Sequence, residues 1–143
     1  MSTISIHRTG AAALVIMLLV SGAFATGQDR SADAKRSAEG WLSLIDNGDY
    51  DGSWASAATY FKKQVTDNGW RDAMNGVRVP LGRLQSRTLA AATAATSLPG
   101  APDGEYRVFQ FDTSFEHKQT AVETVTAVLE TDGSWRIAGY FIR

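Results

Sequence analysis

The spacing of apolar residues changes once along this chain, at Leu81, and that change restricts it to one class of fold. Before Leu81 the large apolar side chains recur every three or four residues; after it they recur every second residue. Helical stripes followed by strands, with no return to helical spacing, specify an α+β domain. Three helices are expected to pack on one face of a four-stranded antiparallel meander.

The first stripe, Ala34, Ala38, Trp41, Leu42 and Ile45, starts near Asp33 and stops at Asn47-Gly48-Asp49, where Gly48 suits the position after a helix C-terminus. The second starts beside Asp49 or Asp51 and collects Tyr50, Trp54, Ala57, Ala58, Phe61 and Val65. Lys62 and Lys63 near its end suit the negative pole of the helix dipole. Thr66 is placed to cap a third helix with Asp67 in its first turn, Trp70, Met74 and Val77 as its stripe and Pro80 as its stop.

Gly82 to Thr96 reads as a strand rich in Thr and Ala, with few large side chains. The loop Ser97 to Gly104 contains two of the three prolines. Glu105 to Glu116 alternates: Phe109, Phe111 and Phe115 face one way, and Tyr106, Gln110, Asp112 and Ser114 the other. His117-Lys118-Gln119 reads as a turn and Thr120 to Glu130 as the third strand. Thr131-Asp132-Gly133-Ser134 is a hairpin signal leading into Trp135 to Ile142.

The register that gathers apolar partners on one face sets Phe115 opposite Ala121, Phe111 opposite Val125 and Phe109 opposite Ala127, with Glu123 opposite Thr113. The last hairpin has two readings. A bulge at Gly133 turns Trp135, Ile137 and Phe141 to the side of Val125 and Leu129. A two-residue Asp-Gly turn places Tyr140 and Ile142 there instead.

Met1 to Ala25 has the features of a removable export signal: Arg8, the apolar run Ala11 to Val20, and the small-x-small triplet Ala23-Phe24-Ala25. A ten-residue apolar run is too short for a spanning helix, which needs about 20. A periplasmic or secreted product is therefore expected, cut near Ala25, with a flexible leader at 26–33 and a single domain at 34–143.

Composition removes several function classes. The chain has no cysteine, which excludes disulfides, thiolate metal sites and cysteine nucleophiles. It has two histidines, His7 in the signal and His117 in a predicted turn, too few for a His-based metal site and poorly placed for a serine triad. Without Arg8, thirteen basic residues stand against fifteen acidic ones, so no nucleic-acid footprint is expected. No metal, cofactor or membrane anchor is expected.

The closing segment Asp132-Gly-Ser-Trp-Arg-Ile-Ala-Gly-Tyr-Phe-Ile-Arg143 resembles the last strand of the NTF2-like (cystatin-like) superfamily of cone-shaped domains. From Ala38 to Arg143 the chain is similar to a bacterial secreted family known as domain of unknown function 4019. The resemblance runs through Trp41-Leu-Ser-Leu-Ile-Asp-Asn-Gly-Asp-Tyr50, Val77-Arg-Val-Pro-Leu-Gly82, Ser97-Leu-Pro-Gly-Ala-Pro-Asp-Gly-Glu-Tyr106 and Gln110-Phe-Asp-Thr-Ser-Phe115. It implies the cone and transfers no active site, because one scaffold of this kind hosts many activities.

Glu123 is the leading candidate residue, an acid on the face that carries three phenylalanines. A buried carboxylate is costly unless paired, so it reads either as a base or ligand anchor in the mouth of the cone, or as the partner of a basic side chain. Arg143 across the last hairpin, Arg78 or Arg83 could be that partner. Trp135 and Tyr140 complete the candidate pocket. Asp112 and His117 read as surface groups, and Trp41, Trp54 and Trp70 as core.

The expected function is a non-catalytic binding or accessory module for a small molecule or a protein. Tyr106, Gln110, Ser114, Thr124 and Thr126 on the outer sheet face form a Thr-rich surface suited to a homodimer, as in similar folds. The alternatives are an isomerase or hydratase using Glu123, and a ligand-free envelope structural or stress protein. An unpaired Glu123 in an open pocket would favour the enzyme; an ion pair with an arginine in a filled cone would count against it.

Overall fold

Four helices, not three, precede the sheet. The computed structural model describes residues 27–143, so the expected export signal at 1–25 lies outside the described residues. The helices are α1 (Gly27–Asp46), α2 (Tyr50–Ser56), α3 (Thr59–Gln64) and α4 (Asp67–Val77), followed by a 3-10 turn at Val79–Leu81. The strands β1 (Leu84–Ala95), β2 (Tyr106–Phe115), β3 (Lys118–Leu129) and β4 (Trp135–Ile142) form one antiparallel sheet in that order. Helical backbone begins at Gly27 and so runs back through residues read from sequence as a leader.

α1 buries the expected stripe of Ala34, Ala38, Trp41, Leu42 and Ile45, and the chain turns at Gly48 with φ of 74°. The expected second helix is broken in two. Ala57 and Ala58 are extended and fully buried, and the Ala58 amide donates to the Ile137 carbonyl at 2.8 Å. That bond replaces a side-chain cap for α3. It also covers part of the β4 edge, as does the bond from the Ser37 hydroxyl to the Trp135 carbonyl at 2.6 Å. α4 begins as expected, with the Thr66 hydroxyl accepting from Gly69 N. Val77, expected on its apolar face, is half exposed.

The β2–β3 register differs from the expected one by two residues. Phe109 faces Val125, Phe111 faces Glu123 and Thr113 faces Ala121, with a tight turn at Glu116-His117. A two-residue shift keeps every side chain on its face, so the phenylalanines still point inward. In β3–β4 each sequence reading holds for half of the strand. Trp135 and Ile137 point inward opposite Leu129 and Ala127; Ala138 is then an extra residue, and beyond it Tyr140 and Ile142 point inward opposite Val125 and Glu123. Phe141 is thereby turned outward.

The core lies between the helices and the inner face of β2–β4. Trp41 donates to the Ser53 carbonyl at 2.8 Å and Trp70 to the Ser53 hydroxyl at 2.9 Å, which ties α1, α2 and α4 together around one buried serine. Among the described residues no helix is long and apolar enough to cross a membrane.

Candidate functional site

Glu123 sits on the inner face of β3 with 0% of its surface exposed. Both carboxylate oxygens are engaged. Oε1 accepts from Arg87 Nε at 2.7 Å and from the Thr113 hydroxyl at 2.7 Å; Oε2 accepts from Arg87 Nη2 at 3.2 Å and from the Tyr140 hydroxyl. Thr113 is no longer directly opposite Glu123, yet it reaches the carboxylate diagonally across the ladder.

Arg87 comes from β1 and turns inward beside Thr113. Its guanidinium also holds Asp46, the last residue of α1, through Nη1 at 2.7 Å and Nη2 at 3.0 Å. Asp46 in turn binds Arg78 at 3.3 Å, and Arg78 lies over the Phe115 ring at 4.4 Å and donates to the Gly82 carbonyl. Two acids and two arginines thus alternate in a neutral chain that joins α1, the junction between α4 and the 3-10 turn, β1 and β3. Burial opposes the Arg87 charge. The hydrogen bonds that Arg87 donates to Asp46 and Glu123, and the charges of those carboxylates, outweigh it and raise the Arg87 pKa above its ordinary value.

Tyr140 is positioned by aromatic contacts, edge-on to Trp41 at 5.2 Å and to Trp70 at 6.4 Å. Burial first, and then the adjacent Glu123 carboxylate, push its phenol pKa well up. A phenol held protonated against a carboxylate that is fully hydrogen-bonded is a structural clamp. The carboxylate has no free lone pair directed at open space.

The other candidates lie elsewhere. Arg143 is exposed and on the outer face: it exchanges backbone hydrogen bonds with Val122, while Ile142 occupies the position across from Glu123. Arg143 therefore does not pair with Glu123: the bulge at Ala138 reverses the alternation of β4 and turns Arg143 to the face opposite Glu123. Arg78 pairs with Asp46 and Arg83 with Glu116, so neither of these meets Glu123. Trp135 points inward with Arg107 stacked at 5.4 Å. It borders an open groove of about 440 Å³ with Trp41, Gly40 and Leu44, apart from Glu123. Asp112 and His117 are exposed, and Trp54 is half-buried with its indole donating to the Val65 carbonyl.

Arg87 and Asp46 are the residues that sequence reasoning missed. Arg87 is the only charge between Gln85 and Pro102, a long basic side chain in a strand of small residues, and that isolation was the available signal. Among the described residues, no group of three or more His, Cys, Asp or Glu side chains is placed to hold a metal ion.

Residues 37–140 match the family described as a protein of unknown function (DUF4019). No curated protein matches the chain.

Proposed function

The chain belongs to this family, whose match spans well over half of it, and we propose that it is an exported, non-catalytic binding module that works through the outer face of its sheet. The observation that carries the reading is the state of Glu123: fully buried, paired with Arg87 and bound by two hydroxyls. An isomerase or hydratase needs that acid free in an open pocket, and this pairing argues against it. The exposed chemistry lies on the other side of the sheet, where Phe141 is 54% exposed and Asp112 and Arg143 are exposed.

Export to the periplasm or medium after cleavage near Ala25 rests on the signal-like segment Met1 to Ala25. Placement in the NTF2-like superfamily is favoured by helices preceding a four-stranded meander and by the closing segment Asp132 to Arg143. The partner this surface suits is a protein, because its groups are spread across a sheet face and do not converge in a hollow.

The test is complementation of a deletion strain scored for envelope-stress survival. Phe141→Asp should abolish function in a protein that folds normally, and Glu123→Gln should retain it to the extent that the protein stays folded. A folded Glu123→Gln protein without function, beside a functional Phe141→Asp protein, would overturn the reading.

A further inference from the structure

One groove lies apart from both the Glu123 cluster and the outer face of the sheet. It runs between α1 and the edge strand β4 and is lined by Ser37, Gly40, Leu44, Ser56 and Trp135 among others. Its volume of about 440 Å³ is that of a small-molecule site. We propose that this groove binds a neutral hydroxylated ligand, a short saccharide, independently of the outer-face reading.

Two features of the chain call for a ligand there. Gly40 lies in the interior of α1, where glycine is a poor helix former. A Cβ built on it would meet no atom within 4 Å, so no packing inside the protein requires a glycine. Bare backbone in the wall of a groove does allow a bound molecule to come close. The second feature is Trp135. The indole N–H groups of Trp41 and Trp54 donate to the Ser53 and Val65 carbonyls, and that of Trp70 donates to the Ser53 hydroxyl. That of Trp135 has no partner among the described residues, although the residue is only 9% exposed. A donor in so buried a side chain gains from an acceptor that a ligand supplies.

The remaining wall sets the chemistry of that ligand. The Ser37 hydroxyl donates to the Trp135 carbonyl at 2.6 Å, and the Ser56 hydroxyl to the Gly52 carbonyl at 2.9 Å. Each hydroxyl has a single proton, so both offer only lone pairs and call for a donor. Arg136, the one ionised side chain in the lining, is neutralised by Asp132 and also held by the Ser134 hydroxyl; its Nη1 is left able to donate. A ligand that accepts from Trp135 and Arg136, donates to Ser37 and Ser56 and carries no charge is a polyhydroxylated one. The apolar face of a sugar ring suits Leu44 and Ile137. An added peptide strand does not suit this edge, because Ser37 and the Ala58 amide already occupy the Trp135 and Ile137 carbonyls.

NMR titration of the isotope-labelled protein with cellobiose, maltose and di-N-acetylchitobiose, each to about 20 mM, tests the assignment. At least one disaccharide should shift the Gly40 amide and Trp135 indole signals together and saturably. Gly40→Leu should raise the melting temperature by about 2–5 °C, because leucine is the better helix former. It should also abolish those shifts by filling the groove. Binding lost from a protein more stable than the original is not lost through misfolding. Trp135→Phe keeps an aromatic ring and should weaken binding about tenfold through the missing N–H. The proposal is overturned if none of the sugars shifts these signals, or if the shifts survive Gly40→Leu. Shifts produced only by a neutral capped peptide, acetyl-trialanine amide, overturn it as well.

Discussion

Replacing Arg87 with Met would strand the Glu123 carboxylate in the core, and the cost can be worked from the contacts. Glu123 has no exposed surface and would keep only the Thr113 and Tyr140 hydroxyls. Asp46 is partly exposed and would keep Arg78, so it adds less. Removing one partner of a buried ion pair costs about 3–5 kcal/mol, a large part of the roughly 5–15 kcal/mol that holds a domain folded.

Replacing Glu123 with Leu removes the acid instead. Arg87 would keep Asp46 and two hydroxyls would lose an acceptor, for a cost of about 2–3 kcal/mol. The Arg87→Met/Glu123→Leu protein holds no unpaired charge at this point. It should be more stable than Arg87→Met alone, with a coupling of about 2 kcal/mol or more. Urea denaturation of the four proteins measures this. If Arg87→Met costs under about 1 kcal/mol, or if the double substitution costs the sum of the singles, the account of Glu123 as a buried structural partner is wrong.

Alkaline titration should report on Tyr140. Because its folded pKa is raised, it contributes stability in full below the ordinary tyrosine value of about 10, and that stability is lost as pH rises toward the higher folded value. Absorbance should therefore show tyrosine ionisation that is delayed until the protein unfolds, and Tyr140→Phe should reduce that step by one phenol, leaving the buried Tyr106, whose pKa burial also raises; ionisation of every tyrosine near pH 10 with the fold intact would contradict it. Gly82→Ala should destabilise more than Gly100→Ala. Both glycines have φ near 75°, but a Cβ at Gly82 would lie 2.9 Å from Glu116 Cβ and His117 Cδ2, whereas Gly100 has open space around it. Backbone strain alone accounts for about 1 kcal/mol at Gly100, and the clash should raise the Gly82 cost to about 2–3 kcal/mol in thermal unfolding. Equal costs would mean that the 3-10 turn does not press on the β2–β3 turn.

The sequence carried the layer order and the inward face of β2, because period and parity are local properties. Register was less legible. A shift of two residues preserves every face, so the apolar pattern of Phe109, Phe111 and Phe115 could exclude a shift of one but not of two. The bulge at Ala138 is announced by Gly139 beside it, since a glycine inside a strand pattern marks such a site, but that signal does not say which side chains turn over. It forms where the chain must bring both Ile137 and Tyr140 into the core, and it is what sends Arg143 outward. The break at Ala57-Ala58 has no such signal, since alanine favours helix and only the bond to Ile137, a tertiary contact, opposes it. Glu123 was legible as an inward acid, while its partner was not: Arg87 lies on β1, whose small side chains give no parity signal, and two bulges interrupt that strand at Gln85 and Ala90.

Carbodiimide labelling of carboxylates in the native protein, read by mass spectrometry at dilute concentration, bears most directly on whether this domain encloses a working acid. Asp112 should label rapidly, and Glu123 should label only at the rate of global unfolding. Labelling of Glu123 at a rate comparable to Asp112, with the fold intact, would reveal an open site beneath the helices and contradict the account.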